Sequence, residues 1–370
     1  MSLLKKISLA LSILSLAFST KAEACLYGFS VANPETIEEQ LLDMPLPPRA
    51  IVNYRKEMRD IIASLVSYAK KHNPDFIFLT HEGTDILYKS LWEYHLDGYN
   101  EARTHRINAN DPSFLLTLEQ RAEEIATLMK NDKTPFAPGI DGIVLNNVIC
   151  EQRDIPEKIK DSNKKIISID KCENGEFYDR GIKYALENNM LFYGFINSDT
   201  SFKKIRNQPL INENARNIFT LSDASNISFF LDDSLYNNKQ DFIEDVASSN
   251  FDIVIINPTF QNKSPFSADE VNRLRLKKNG TKRLLIAAQN LSEAKNSDYF
   301  WRNNWQIENP SFIRRESFVC KDGYIMEYWQ KPWREIISEY FKSIIRTGYD
   351  GVFFTGLENH TYFEKLTPLE

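Results

Sequence analysis

The chain has 370 residues, 42% of them hydrophobic and 26% charged, with a formal net charge of −6. This is ordinary globular composition, with enough apolar material for one barrel-sized domain or two smaller ones. The negative balance and the lack of a long basic run argue against nucleic acid as a partner.

At the N-terminus, Lys5 and Lys6 precede an apolar run from Ile7 to Phe18, and Ala22-Glu23-Ala24 follows as a small-x-small site. Residues 1–24 read as a secretory signal peptide, which leaves 25–370 as one exported domain, periplasmic or extracellular. The apolar run is short for a membrane span, so no stable membrane insertion is expected after its removal. A lipoprotein reading wants an aliphatic residue three before Cys25, where Ala22 stands.

Pro45, Pro47 and Pro48 mark residues 26–50 as an irregular lead-in. A helix is predicted from Tyr54, with Met58, Ile61, Ile62, Leu65 and Ala69 on one face and Asn73-Pro74 ending it. Phe76 to Leu79 reads as a buried strand with His81 and Glu82 at its end. Residues 84–137 read as polar and mostly helical, most clearly between Leu116 and Met129. Ile140 to Val148 and Ile166 to Ile169 are further strands, the second ending in Asp170. A helix from Phe177 to Asn188 and an apolar run from Leu191 to Ile196 follow. The Asn-rich stretch 198–226 reads as a linker or a long loop. Phe229 to Leu231 ends in Asp232-Asp233, Ile253 to Ile256 in Asn257, and Leu284 to Ala288 in Gln289-Asn290. Tyr324 to Trp329 is another candidate strand. An amphipathic helix then carries Trp333, Ile337, Tyr340, Phe341 and Ile344, with Gly348 just past it. Val352 to Phe354 closes the set and leads to Thr355, Glu358, Asn359 and His360.

Nine short apolar runs, most separated by helix-length segments, predict a parallel α/β sheet. Eight would close a single (β/α)₈ TIM barrel, and pattern alone does not say which run is the extra one. A doubly wound open sheet is the alternative, weakened by the lack of a glycine-rich phosphate loop after any strand. Cys25, Cys150, Cys172 and Cys320 allow two disulfides in three connectivities, or free buried thiols, and their spacing fits no zinc pattern. His81 beside Glu82 has no second histidine nearby. Neither metal nor cofactor is expected.

Parallel barrels place chemistry at the C-terminal ends of their strands. Here those ends carry Glu82, Asn146, Asp170, Asp232, Asp233, Asn257, Gln289, Glu293, Gln330, Thr355 and Glu358, with Tyr299, Trp301, Tyr328 and Trp329 nearby. Aromatic faces suit sugar C–H groups, amides and carboxylates suit hydroxyls, and a carboxyl pair suits glycosidic-bond chemistry. Trp333 reads as core and Asp350 as a turn former.

Several segments resemble the endo-α-1,4-polygalactosaminidase-like glycoside hydrolases (glycoside hydrolase family 114). Phe251-Asp252-Ile253-Val254-Ile255-Ile256-Asn257 is similar to that family's "fDlvviD". Ser292-Glu293-Ala294 with Tyr299-Phe300-Trp301 resembles "GEAEdYRyYW", and Tyr328-Trp329-Gln330-Lys331-Pro332-Trp333 resembles "yWdpeW". Gly348-Tyr349-Asp350-Gly351-Val352-Phe353-Phe354-Thr355 resembles "GfDGvyLD". Pro74-Asp75-Phe76-Ile77, Ile140-Asp141-Gly142-Ile143 and Ile167-Ser168-Ile169-Asp170 resemble segments that follow "GfDGvyLD" in the family but precede it here. The resemblance therefore implies an exported TIM barrel with circularly permuted strand order.

It also implies Glu293, Asp170 and Glu358 as catalytic candidates. Glu82, Asn257, Tyr299, Trp301, Trp329, Gln330 and Thr355 become substrate contacts for a polysaccharide or oligosaccharide, galactosamine-containing in the family. Asn146, Asn257, Gln330 and Thr355 stand where the family carries acids. Three outcomes follow: a glycoside hydrolase-like enzyme, a carbohydrate-binding pseudoenzyme, or a surface protein with no sugar ligand.

Overall fold

The computed structural model describes residues 51–94, 96–97, 127, 139–196, 202–203 and 210–367. The stretch expected to be a signal peptide, Cys25, the proline-bearing lead-in and, apart from Thr127, the helix expected between Leu116 and Met129 lie outside them, as does most of 197–209.

Eight strands form the central sheet: β1 (Ile77–His81), β2 (Gly142–Asn146), β3 (Lys165–Lys171), β4 (Leu191–Phe195), β5 (Ile227–Phe230), β6 (Ile253–Ile256), β7 (Leu284–Asn290) and β8 (Gly351–Thr355). Their spatial order is β4-β3-β2-β1-β8-β7-β6-β5, and every ladder is parallel. The strands are apolar runs buried on both faces, as parallel strands between a barrel core and a helical layer must be. β1 pairs with β8, Phe78 opposite Val352 and Leu79 opposite Phe353. The pairing of the strands that hold Ile77 and Val352 is thus as expected. Any barrel of this type pairs its first strand with its last, so the pairing fits permuted and unpermuted order alike.

The ring is nearly closed. β4 and β5 approach each other but share no ladder. Side chains seal that seam: the Tyr193 and Phe229 rings lie 5.2 Å apart, and Phe202 sits 5.3 Å from Tyr193 and 6.3 Å from Phe229.

The period-2 alternation of strands sorts the core into two layers. Leu79, Val144, Ile169, Tyr193, Phe229, Ile255, Ile286 and Phe353 fill the barrel. Phe78, Val254, Leu285, Val352 and Phe354 face outward onto the helices. These include α1 (Tyr54–His72), capped by Asn53, and α2 (Gly175–Glu187), capped by Asn174. α3 (Lys239–Ala247) and α4 (Ala268–Leu274) follow, the latter with a Ser267–Glu270 capping box. α5 (Lys331–Thr347) buries Trp333, Ile337, Phe341 and Ile344 and ends at Gly348, φ 97°. α6 (His360–Leu366) lies against α1, where Glu364 accepts two bonds from Arg55 at 2.7 and 2.9 Å.

The run at Tyr324 is the extra one. Gly323–Met326 pairs antiparallel with Glu293–Lys295 and Ile313–Glu316 in a separate three-stranded sheet inserted between β7 and α5. This corrects the placement of Gln330, which follows that small sheet and N-caps α5 instead of ending a barrel strand. Cys150 and Cys172 form a disulfide 22 residues apart in sequence. Cys320 is also disulfide-bonded, and no described cysteine is free.

Candidate functional site at the C-terminal mouth of the barrel

Continuing the alternation of the core residues to the strand ends points His81, Asn146, Asn257, Asn290 and Thr355 inward at the mouth. His81 and Asn146 meet across β1 and β2, with Nε2 3.1 Å from Oδ1. Burial holds the His81 imidazole below its usual range, which keeps the ring neutral.

Carboxyl groups from the loops surround this ring. Glu82 follows β1 with φ 49°, in the left-handed region. Its buried carboxylate accepts the Asn146 N–H at 2.7 Å and a two-pronged bond from Arg153 at 2.8 and 2.6 Å. Glu358 follows β8 in a 3₁₀ turn, Leu357–Asn359. Burial, then the negative charges of Glu82 and Asp85, push it up to about 7. Glu358 therefore carries a proton for much of the time near neutral pH. Arg153 lies in the electrostatic field of Glu82, Glu358 and Asp170 together.

Asp170, at the end of β3, is fully buried. One oxygen accepts the Ile149 and Cys150 N–H groups, each at 2.8 Å, and the other accepts Ser168 Oγ. Three donors and complete burial make Asp170 the anchor of the loop that carries Arg153, with no face turned to a ligand.

Glu293 opens the small sheet. Its N–H donates to Asn290 Oδ1 at 2.8 Å. Its carboxyl accepts Asn359 Nδ2 at 3.1 Å, with Ser317 Oγ at 3.5 Å. Burial pushes its pKa up while these donors oppose the shift. Asn359 thereby ties Glu293 to the turn that bears Glu358. Gly356 lets β8 come this close: a Cβ there would lie 2.2 Å from Asn290 Oδ1.

A cavity of about 120 Å³ lies over the end of β7. It is lined by Asn257, Gln289, Asn290, Glu293, Asp298, Tyr299 and Thr355, among others. Gln289 Nε2 donates to Ile337 O at 2.8 Å, while its Oε1 is buried without a hydrogen-bond partner. Burial pushes Asp298 up to about 6. Tyr299 is 46% exposed and stacks on Tyr340 at 5.5 Å.

Of the residues singled out in the sequence, Asn257, Gln289, Glu293, Tyr299 and Thr355 line this cavity, and Glu82 and Glu358 stand beside Arg153. Trp301 stacks on Tyr324 at 4.7 Å and packs against the core. Trp329 lies among Tyr54, Tyr328 and Phe363, and Gln330 bonds Ser311 and Glu327. None of these three lines the cavity. His360 is buried between Leu357 O and Asp85. Arg153, Asp298 and Ser317 are new. Arg153 is a lone cation in a polar loop, with no local signal linking it to a carboxylate 71 positions earlier. Among the described residues no cluster of three metal-ligating side chains occurs, and no helix is long and apolar enough to cross a membrane.

No family model matches the chain. It is similar to an uncharacterized protein of Methanocaldococcus jannaschii, 28% identical over 152 residues, which is 40% of this chain and 42% of that protein. It also matches an uncharacterized protein of Deinococcus radiodurans, 27% identical over 108 residues (29% of this chain, 33% of the other). A third, from Thermotoga maritima, is 23% identical over 78 residues (21% and 24%). The chain thus spans less than half the length of each of these relatives.

Proposed function

We propose that this chain is an exported glycoside hydrolase-like barrel that binds a polysaccharide, galactosamine-containing as the motif resemblance implies, at its C-terminal mouth. The observation that carries the reading is Glu293 at the cavity beside Asn257 and Thr355, tied through Asn359 to the turn that bears Glu358, whose carboxyl is raised to about 7. Asn257, Gln289, Tyr299 and Thr355 would hold sugar hydroxyls. Glu358 would give its proton to the glycosidic oxygen as that bond breaks. Glu293 would act as the second carboxyl, taking a proton from water or bonding to the anomeric carbon. The Glu82 carboxylate, paired with Arg153, helps keep the proton on Glu358. The motif order supports a circularly permuted barrel, and the disulfide supports export to an oxidising compartment.

A second reading, binding without turnover, is favoured by Asn146, Asn257 and Thr355 at the strand ends, because amides and hydroxyls do not exchange protons near neutral pH. The test is reducing-end release from partly deacetylated galactosaminan, beside binding by calorimetry, for wild type, Glu358→Gln and Glu293→Gln. Cleavage that falls ~10²–10⁴-fold in either variant, and that in wild type declines as pH rises through about 7, supports the enzyme. Binding with no cleavage by wild type supports the second reading. No binding at all overturns both.

A further inference from the structure

We propose that the opposite, N-terminal face of the barrel is a second binding site, one for an acidic polysaccharide. An open cleft of about 1230 Å³ surrounds the N-terminal mouth. Seven of its lining side chains are lysine or arginine and three are aspartate, on a chain whose overall formal charge is −6. A concave surface with an excess of cations, on a chain that is negative overall, draws anions.

Several of these cations also serve the fold. Lys70 Nζ caps the Pro74 and Phe76 carbonyls at 3.0 and 2.8 Å, and Lys165 Nζ bonds the Asn189 carbonyl at 2.9 Å. Bonds to neutral carbonyls leave the ammonium charge in place. Arg275 is partly neutralised, pairing with Asp350 at 2.8 Å. Lys160 and Lys282 are exposed; Lys282 lies in the field of Asp350, and neither ammonium makes a hydrogen bond or close ion pair among the described residues. They are positioned to meet carboxylates or sulfates of a ligand.

Charge alone would suit any polyanion. Two further features select a sugar chain. Phe219 lines the cleft and is 63% exposed, a bare ring of the kind that stacks on sugar C–H faces. Its turn is rigid: Asp223 accepts the Phe219 and Thr220 N–H groups at 3.1 and 2.9 Å, and Ile218 and Leu221 on either side are buried in the barrel core. Asparagines, Asn163 and Asn188 among them, line the same cleft, and amides match hydroxyls as both donor and acceptor. Ammonium, amide and bare aromatic groups together are the complement of a carboxylated or sulfated glycan. The site is independent of what the C-terminal mouth does.

The test measures binding of the whole protein to polygalacturonate by calorimetry, with neutral dextran and linear polyphosphate alongside, at low and physiological salt. Polygalacturonate should bind, dextran should not, and salt should weaken the complex. Lys160→Glu with Lys282→Glu should weaken it about tenfold. Phe219→Ala should weaken polygalacturonate but leave polyphosphate unaffected. These three positions are exposed, so thermal unfolding should not move. No binding of polygalacturonate overturns the proposal. So does polyphosphate binding as tight as polygalacturonate with Phe219→Ala affecting neither, which would make the cleft a general anion surface. Because the charge-reversal variant leaves the C-terminal mouth intact, its binding of galactosaminan separates failure here from failure of the proposed C-terminal site.

Discussion

Glu358 shows how one side chain's chemistry depends on its neighbours. The turn after β8 places it beside Glu82 and Asp85 in a half-buried position, and its pKa rises to about 7. A carboxyl raised in the folded state lends stability that is fully present below its unfolded value and is lost as pH rises through the folded value. Above pH 7 the protein therefore bears the cost of a poorly solvated carboxylate. Glu358→Gln should be neutral near pH 4 and stabilising by ~1–2 kcal/mol at pH 8, discounted from the full shift for partial exposure. Urea unfolding at the two pH values checks this. An identical effect at both would mean that Glu358 titrates normally. Asp170 is a counter-example: also an acid at a strand end, it has both oxygens committed to Ser168 and the Ile149 and Cys150 amides.

At the scale of the element, glycines mark where strands and helices meet their limits. Gly351 opens β8 between β1 and β7, and an added Cβ would lie 2.4 Å from Ile77 O and 2.8 Å from Ile286 Cδ1. The backbone there belongs to two ladders and cannot retreat. Gly175, the first residue of α2, meets nothing within 4 Å. Gly351→Ala should cost ~3 kcal/mol or more by overpacking. Gly175→Ala should stabilise by ~0.5–1 kcal/mol by restricting the unfolded chain. Thermal melts of the two variants test the contrast, and equal shifts would refute the packing argument. The inserted three-stranded sheet is the other element that matters: it carries Glu293 over the end of β7 and roofs the cavity.

At the scale of the whole molecule, the barrel has one weak line, the seam between β4 and β5. Elsewhere neighbouring strands share ladders; here Tyr193, Phe202 and Phe229 interlock in their place. Backbone amides facing the seam lack the protection of a ladder. Hydrogen exchange should therefore be fastest among the barrel strands along β4 and β5 and slowest in β8, which is flanked by β1 and β7. Phe202→Ala should lose ~3–5 kcal/mol and speed exchange in β4 and β5 first. Uniform protection around the ring would show that the seam is as firm as the ladders.

The features legible in the amino-acid order are local. The buried runs, the apolar faces of α1 and α5, the Gly348 cap and the polar residues at strand ends are written in periodicity and in residue type, because burial and backbone geometry act over a few residues. The tertiary structure alone decided which run left the barrel. Gly323–Met326 is as apolar as a barrel strand, and parallel or antiparallel pairing is made by backbone groups that all residues share. It alone decided that Cys150 pairs with Cys172, since connectivity depends on distance in space. It alone brought Arg153 onto Glu82 and Asn359 between Glu293 and the Glu358 turn. Those partners are 71 and 66 residues apart, and a charge or an amide in a loop carries no mark of the partner that folding will bring to it.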